Sequence, residues 1–203
     1  PERYMGSLRV GPSPAHITMA YTDLALRKFF ETAAEKPWFN DTLFVITSDH
    51  SAVRRQPEYK TSVGVFRVPL VFCHANNPHL RGWDTRVVQH TDIMPTVLRY
   101  VGSDADFVAF GKDIFETKGE HIAFNYHPSH KYQLIRDNYV LRHDGNLPLA
   151  LYDYVNDKLL KTNLLGQLPE DQQSMESLLK AVIQQHDNRM RENRLVLSQR
   201  ELS

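Results

Sequence analysis

The sequence has a single cysteine, Cys73, in 203 residues, which excludes an internal disulfide framework and any cysteine-cluster metal site. Cys73 lies in the apolar run Val68-Pro69-Leu70-Val71-Phe72-Cys73, where it reads as a small buried hydrophobe rather than a reactive thiol. An excess of either charge is also missing. Lys+Arg and Asp+Glu both number 24, so the chain has no basic footprint of the kind a phosphate backbone requires, and nucleic acid is excluded as an expected partner. No apolar run approaches the ~18 to 20 residues of a membrane span. The first residues, Pro1-Glu2-Arg3-Tyr4, show neither an initiator Met nor a signal-peptide pattern, and the expectation is a chain that continues upstream. At roughly 150 residues per domain, the length suits one domain plus a subdomain.

From Pro14, the residues Ala15, Met19, Leu26, Phe29, Phe30 and Ala33 recur at three- and four-residue steps, which predicts a helix ending before Pro37. Thr42 to Thr47 is a β-rich run without polar alternation, as expected of a strand covered on both faces. Asn40-Asp41-Thr42 spells a glycosylation sequon, but a turn entering the strand explains it more simply. A second apolar run, Val68 to Cys73, and a short helix over Asp92 to Val101 continue an α/β order. From about residue 119 the texture changes. Ile122 to Tyr126, Tyr132 to Ile135, Tyr139 to Arg142 and Ala150 to Tyr152 read as antiparallel strands, with turns at Asp137-Asn138 and Asp144-Gly145-Asn146. Pro169 then opens a helix with Met175, Leu178, Leu179, Val182 and His186 on one face. The expected division is 1–118 for an α/β core and 119–203 for an antiparallel-sheet and helix subdomain.

The chemistry concentrates at Asp49-His50, which follows the apolar strand and begins a polar loop. Ligands of α/β sheets bind at the carboxyl ends of strands, and a carboxylate beside an imidazole can ligate one divalent ion. The alternative is a strand end at which Asp caps a turn and His makes one hydrogen bond. In the loop that follows, Arg54-Arg55 could meet a phosphate or sulfate, since guanidinium forks suit those oxygens; a solvated loop is the competing reading. His121, His127 and His130 read as hairpin and surface histidines, because His127-Pro128-Ser129-His130 needs a helix to converge on a metal. His79 and His90 read as structural or exposed, with His90 also a neighbour of the metal loop by motif order. Arg189 to Arg194 reads as a solvated helix end.

Three ordered segments carry a resemblance: Phe44-Val45-Ile46-Thr47-Ser48-Asp49-His50, then Phe66-Arg67-Val68-Pro69-Leu70-Val71, then Gln89-His90-Thr91-Asp92-Ile93-Met94-Pro95-Thr96-Val97-Leu98. With Leu151-Tyr152-Asp153 and Asn163-Leu164, they resemble the C-terminal half of the sulfatase branch of the alkaline-phosphatase-like superfamily. Phe110-Gly111-Lys112-Asp113-Ile114-Phe115, and Asp-His rather than Asp-Asn, make the chain look closest to lipoteichoic acid synthase-like, membrane-anchored phosphoglycerol transferases. The resemblance implies an α/β, alkaline-phosphatase-like fold, here its C-terminal portion, with a small antiparallel sheet plus helix subdomain.

It also implies that Asp49 and His50 hold a divalent metal, Mn²⁺, Mg²⁺, Ca²⁺ or Zn²⁺, the imidazole binding as the neutral form. Lys60 falls near a substrate-contacting lysine of sulfatases, although its spacing to Arg67-Val68-Pro69 is shorter than in arylsulfatases. Asp92, Pro95, Thr96 and Arg67 are expected to be scaffold. The nucleophile of such enzymes is Thr, Ser or a formylglycine made from Cys/Ser-x-Pro-x-Arg, and no such motif occurs; Ser13-Pro14-Ala15 lacks the Arg. The resemblance therefore implies an upstream nucleophile, a chain inactive alone, and the rest of the same polypeptide as its first partner. The implied substrate is a phosphate or sulfate ester, possibly lipid-linked, at an extracytoplasmic, membrane-anchored site. Phosphoglycerol or phosphoethanolamine transfer leads, sulfate-ester hydrolysis follows, and a non-catalytic envelope binding protein is the reading from a different class.

Overall fold

The computed structural model describes residues 14–51, 54–127 and 131–197. Two compact units emerge, one within Pro1–Lys60 and Gly64–Asp84, the other within Thr61–Val63 and Thr85–Ser203. Ser13 and His130 of the sequence motifs lie outside the described residues.

In the first unit, helix α1 spans Pro14–Ala33. It stops where the chain tightens, with Lys36 N–H donating to the Ala33 carbonyl at 2.9 Å just before Pro37, whose ring cannot continue a helix. Phe44 is the hub that joins the helix end to the sheet. Its ring lies 5.1 Å from that of Phe30 and 5.4 Å from that of Phe39, within the range of favourable aromatic pairs. The turn Phe39–Asp41 is closed by the Thr42 hydroxyl, which donates to the Trp38 carbonyl at 2.7 Å, so the sequon residues form the expected turn into a strand.

Strand β1, Phe44–Thr47, pairs antiparallel with β2, Leu70–Cys73, placing Phe44 opposite Cys73 and Thr47 opposite Leu70. The coverage expected on both faces is not reached, for Phe44, Val45 and Ile46 are half-buried and Thr47 is exposed. Among the described residues β1 also has a single hydrogen-bonded neighbour, so one of its edges is unpaired there as well. Similarly, α1 buries Ala33 while Met19, Leu26 and Phe29 of its apolar stripe stay exposed. Half-burial pushes the Cys73 thiol up, away from the thiolate form a reactive cysteine needs.

In the second unit, β3 (Ile122–His127), β4 (Lys131–Arg136), β5 (Tyr139–His143) and β6 (Pro148–Asp153) form an antiparallel meander in chain order. All four strands and both turns stand where the period-2 patterning predicts. Asp137 turns the β4–β5 hairpin at φ 50°, a left-handed conformation that Asp tolerates better than most residues. Register aligns one apolar row, Phe124, Leu134, Leu141 and Leu151, straight across the sheet. The next row, Ala123, Ile135, Val140 and Tyr152, necessarily faces the opposite side.

The first row packs on Met175 and Leu179 of the C-terminal helix, and the second on Val63, Val87 and Leu160. Helix α3, Pro169–Arg191, begins with Pro followed by Glu170 and Asp171 and ends with Arg189 and Arg191, the charge order that suits its dipole. Val182 is only half-buried, and His186, expected on the buried face, is exposed, because the sheet contact is made near Met175 and has ended by that turn. His143 of β5 is fully buried instead. Its Nδ1 accepts from the Gly145 N–H at 2.9 Å, and its Nε2 lies 3.5 Å from Glu176 Oε1. Lys180, 2.6 Å away on the next turn of α3, holds the Glu176 carboxyl below the usual range, ahead of the histidine.

The turn His90–Asp92 leads into α2, Ile93–Tyr100. Asp92 is 3% exposed, and each of its carboxylate oxygens accepts a backbone N–H, from Gln89 at 2.8 Å and from Lys112 at 3.0 Å. Buried Thr96 donates to the Asp92 carbonyl at 2.6 Å and accepts from Ile114 N–H at 2.9 Å. Asp92 and Thr96 thus bind the Phe110–Phe115 segment to α2, a scaffold role in keeping with their reading from the sequence. Arg67, in contrast, is exposed; its backbone N–H closes a turn on Gly64 at 3.2 Å, which leaves its side chain outside the strand rather than packed on it.

Candidate active-site loop

Asp49 and His50 leave the C-terminal end of β1, at the point where pleating no longer sends neighbouring side chains to opposite faces. Upstream, the Thr47 hydroxyl donates to the Pro69 carbonyl at 2.9 Å, tying the strand end to the residue that precedes β2. The loop then folds on itself. The Ser48 hydroxyl donates to the His50 carbonyl at 2.8 Å, and His50 N–H donates to Asp49 Oδ1 at 2.8 Å.

The imidazole is oriented by a carbonyl. His50 Nδ1 lies 3.1 Å from the Ser51 carbonyl oxygen, which can only accept, so Nδ1 carries a hydrogen. In the neutral ring Nε2 is then a lone pair, and it stands 3.3 Å from Asp49 Oδ2 with both side chains open to solvent, at 76% and 83% exposure. Two lone pairs facing each other at that distance repel unless a positive charge lies between or beside them. Protonation of the ring supplies one; a divalent cation shared by nitrogen and oxygen supplies the other. The donor set therefore fits the metal that the sequence reading calls for, through one neutral imidazole nitrogen and one carboxylate. Among the described residues no group of three or more His, Cys, Asp or Glu is placed to hold an ion, so the pair by itself would supply two ligands.

Arg54 is drawn to this loop. Its Nε donates to Ser51 Oγ at 3.0 Å, and Ser51 Oγ donates to the Val65 carbonyl at 2.6 Å. Lys60 is exposed at the end of the turn Pro57–Lys60, and no bond among the described residues ties it to the Asp49–His50 pair. The turn Gly64–Phe66 packs directly behind. A Cβ at Gly64 would fall 2.0 Å from the Glu58 carbonyl oxygen and 2.6 Å from Tyr59 Cα, so the two turns meet backbone to backbone.

His90 and His79 are exposed. His121 lies against Arg86, whose Nη1 is 3.2 Å from His121 Nε2, so that nitrogen is engaged within the scaffold, while Nδ1 is buried without a hydrogen-bond partner among the described residues. The first unit also has an apolar depression of about 440 Å³ lined by Phe30, Phe39, Phe44, Cys73 and Leu80, among others. None of Asp49, His50, Arg54 or Lys60 lines it. The roles of Ser51 and Gly64 were not readable from the sequence, since each depends on a backbone carbonyl supplied by another segment.

Comparison with known proteins bears on the fold. Residues 17–103 match the family model described as Sulfatase. No curated protein matches the chain. Among solved structures, the chain is similar to the phosphonate monoester hydrolase of Agrobacterium radiobacter, with 18% identity, TM-score 0.62, and coverage of 85% of this chain and 40% of that one. It is also similar to a protein of the alkaline phosphatase superfamily from Vibrio parahaemolyticus, with 18% identity, TM-score 0.56, and coverage of 80% and 44%. A third similar structure is BT4656 in complex with its substrate D-glucosamine-2-N,6-O-disulfate, with 16% identity, TM-score 0.55, and coverage of 92% and 45%. The fold is the alkaline-phosphatase-like fold of sulfatases, and the chain spans less than half the length of these structures.

Proposed function

We propose that the chain is the metal-pair-bearing part of an enzyme that cleaves or transfers phosphate or sulfate esters. The observation that carries this reading is the imidazole of His50, turned by the Ser51 carbonyl so that Nε2 faces Asp49 Oδ2 at 3.3 Å. Asp49 and His50 would hold Mn²⁺, Mg²⁺, Ca²⁺ or Zn²⁺, and the ion when bound would polarise the ester oxygen and lower the pKa of a nucleophile. Arg54 would bind non-bridging oxygens of the ester, and Lys60 is the second cationic candidate. The hydroxyl or formylglycine nucleophile belongs to sequence beyond this chain in our reading, so the chain alone is inactive.

Phosphoglycerol or phosphoethanolamine transfer at an extracytoplasmic, membrane-anchored site is the leading specific activity, supported by the Asp-His pair and by Phe110 to Phe115. No helix of the described residues is long and apolar enough to cross a membrane, so an anchor too would belong to sequence outside them. Sulfate-ester hydrolysis is the second reading, favoured by the match of residues 17–103 to the Sulfatase family model. Turnover of p-nitrophenyl phosphate, p-nitrophenyl sulfate and a glycerophospholipid by the full-length protein, with each metal in turn, separates the two. One ester class is expected to be turned over and Asp49→Ala to abolish that turnover. Turnover that survives Asp49→Ala would refute the metal reading, and absence of turnover on all three would favour an envelope binding protein.

A further inference from the structure

Ser51 occupies a place in the loop that a solvated hydroxyl would not need. It is half-buried, and its oxygen is both donor and acceptor. The Val65 carbonyl can only accept, so the hydroxyl hydrogen is committed to it at 2.6 Å, leaving a lone pair for Arg54 Nε–H at 3.0 Å. The Val65 carbonyl is itself fixed, because Gly64 beside it is pressed against the Glu58 and Tyr59 backbone too closely for any Cβ. A rigid turn thus holds Ser51, and Ser51 holds the guanidinium.

The way Arg54 is held decides what it can bind. A guanidinium has five N–H donors in a planar fork. Engaging Nε on Ser51 leaves the two terminal nitrogens as an end-on pair, whose parallel N–H bonds match two oxygens of a tetrahedral anion. Among the described residues no carboxylate forms an ion pair with Arg54. The arm starts at Ser51, one residue beyond His50.

We propose that Ser51 is a positioning residue that presents the Arg54 guanidinium, end-on, to the non-bridging oxygens of the tetrahedral oxyanion ester handled at the Asp49–His50 loop. This rests on the ester-cleaving reading above for its substrate, but not for the oxyanion fork itself. The shared chemistry is the tetrahedral oxyanion, whether phosphate or sulfate.

Two arms test it, both on the full-length protein. In the first, calorimetry measures binding of inorganic phosphate and of inorganic sulfate, without turnover. Ser51→Ala and Arg54→Ala are each expected to weaken the better-bound anion about tenfold, the scale of one charge-assisted hydrogen bond. Ser51→Thr keeps the hydroxyl and restores binding, and Ser51→Ala has no further effect in the Arg54→Ala background. In the second, Ser51→Ala raises KM by a similar factor while kcat changes much less, as loss of uniform binding requires.

Equal effects of Ser51→Ala with and without Arg54, failure of Ser51→Thr to restore binding, or no anion binding by the unsubstituted protein would each overturn the proposal. Anion binding that follows Ser51 and Arg54 in a protein whose turnover survives Asp49→Ala would uphold this inference while refuting the metal reading.

Discussion

Leu151→Ala is expected to lower the stability of the second unit by about 2–5 kcal/mol, the range for emptying a well-packed leucine site. Leu151 is fully buried and packs in the cluster with Leu134, Leu141, Met175 and Leu179. Its backbone is held as tightly as its side chain: the N–H donates to Asn163 Oδ1 at 3.0 Å and the carbonyl accepts from Leu164 N–H at 2.7 Å. These bonds give the paired motif Leu151-Tyr152-Asp153 and Asn163-Leu164 its physical meaning, since the second segment closes the edge of β6 that no strand covers among the described residues. With strand and edge segment both fixed, the site cannot collapse to fill the vacated volume, which puts the cost toward the upper part of the range. Urea unfolding should show the loss as a shifted midpoint at unchanged slope. Leu149→Ala is the control, because Leu149 is 37% exposed and its truncation should change stability far less.

Asp92→Ala should cost a comparable amount for a different reason. The substitution strands two backbone donors, Gln89 N–H and Lys112 N–H, each worth about 1–3 kcal/mol when buried without a partner. Room for a replacement acceptor is small. A Cβ at Gly111 would lie 2.3 Å from the Thr91 carbonyl and 2.5 Å from Asp92 N, so the two segments already touch. Ionisation adds a pH signature. Burial, ahead of the two N–H donors that oppose it, holds the Asp92 carboxyl above the usual range.

The folded state therefore keeps the proton to higher pH than the unfolded chain does. The resulting contribution to stability is fully present below the ordinary carboxylate range and is lost as pH rises through the native value. Asp92→Asn removes that slope, while still losing one bond because its amide nitrogen meets an N–H donor. Thermal unfolding across the acid range would show both effects, and a pH slope unchanged in Asp92→Asn would contradict the assignment.

What the sequence made legible follows from which forces are local. The four strands of the second unit were readable because alternation at Phe124, Leu134, Leu141 and Leu151 matches a half-buried pleat and the hairpin turns carry Asp, Asn and Gly. The short helix after Asp92 was readable for the same reason at period 3.6. Antiparallel pairing of Phe44–Thr47 with Leu70–Cys73 was not, because continuous apolar runs carry no direction. Nor was the burial of His143, which depends on Glu176 of α3, 33 residues later in the chain.

At the candidate site, Asp49-His50 stood out as ligand-type side chains at a strand end. Their facing geometry depends on one backbone carbonyl. Ser51 was invisible as a positioning group because its anchor, Val65, lies 14 residues away. Arg54 and Lys60 looked alike as loop cations, yet only Arg54 is tethered to the Asp49–His50 loop.

Asp49 and His50 are proposed to hold a divalent cation together. Titration of Mn²⁺, Mg²⁺, Ca²⁺ and Zn²⁺ into metal-stripped full-length protein by calorimetry, beside Asp49→Ala and His50→Ala, tests it most directly. Saturable binding of at least one of these ions is expected, weakened about a hundredfold or more in each variant. Binding of equal strength in the unsubstituted protein and both variants, or no binding of any of the four, would contradict it.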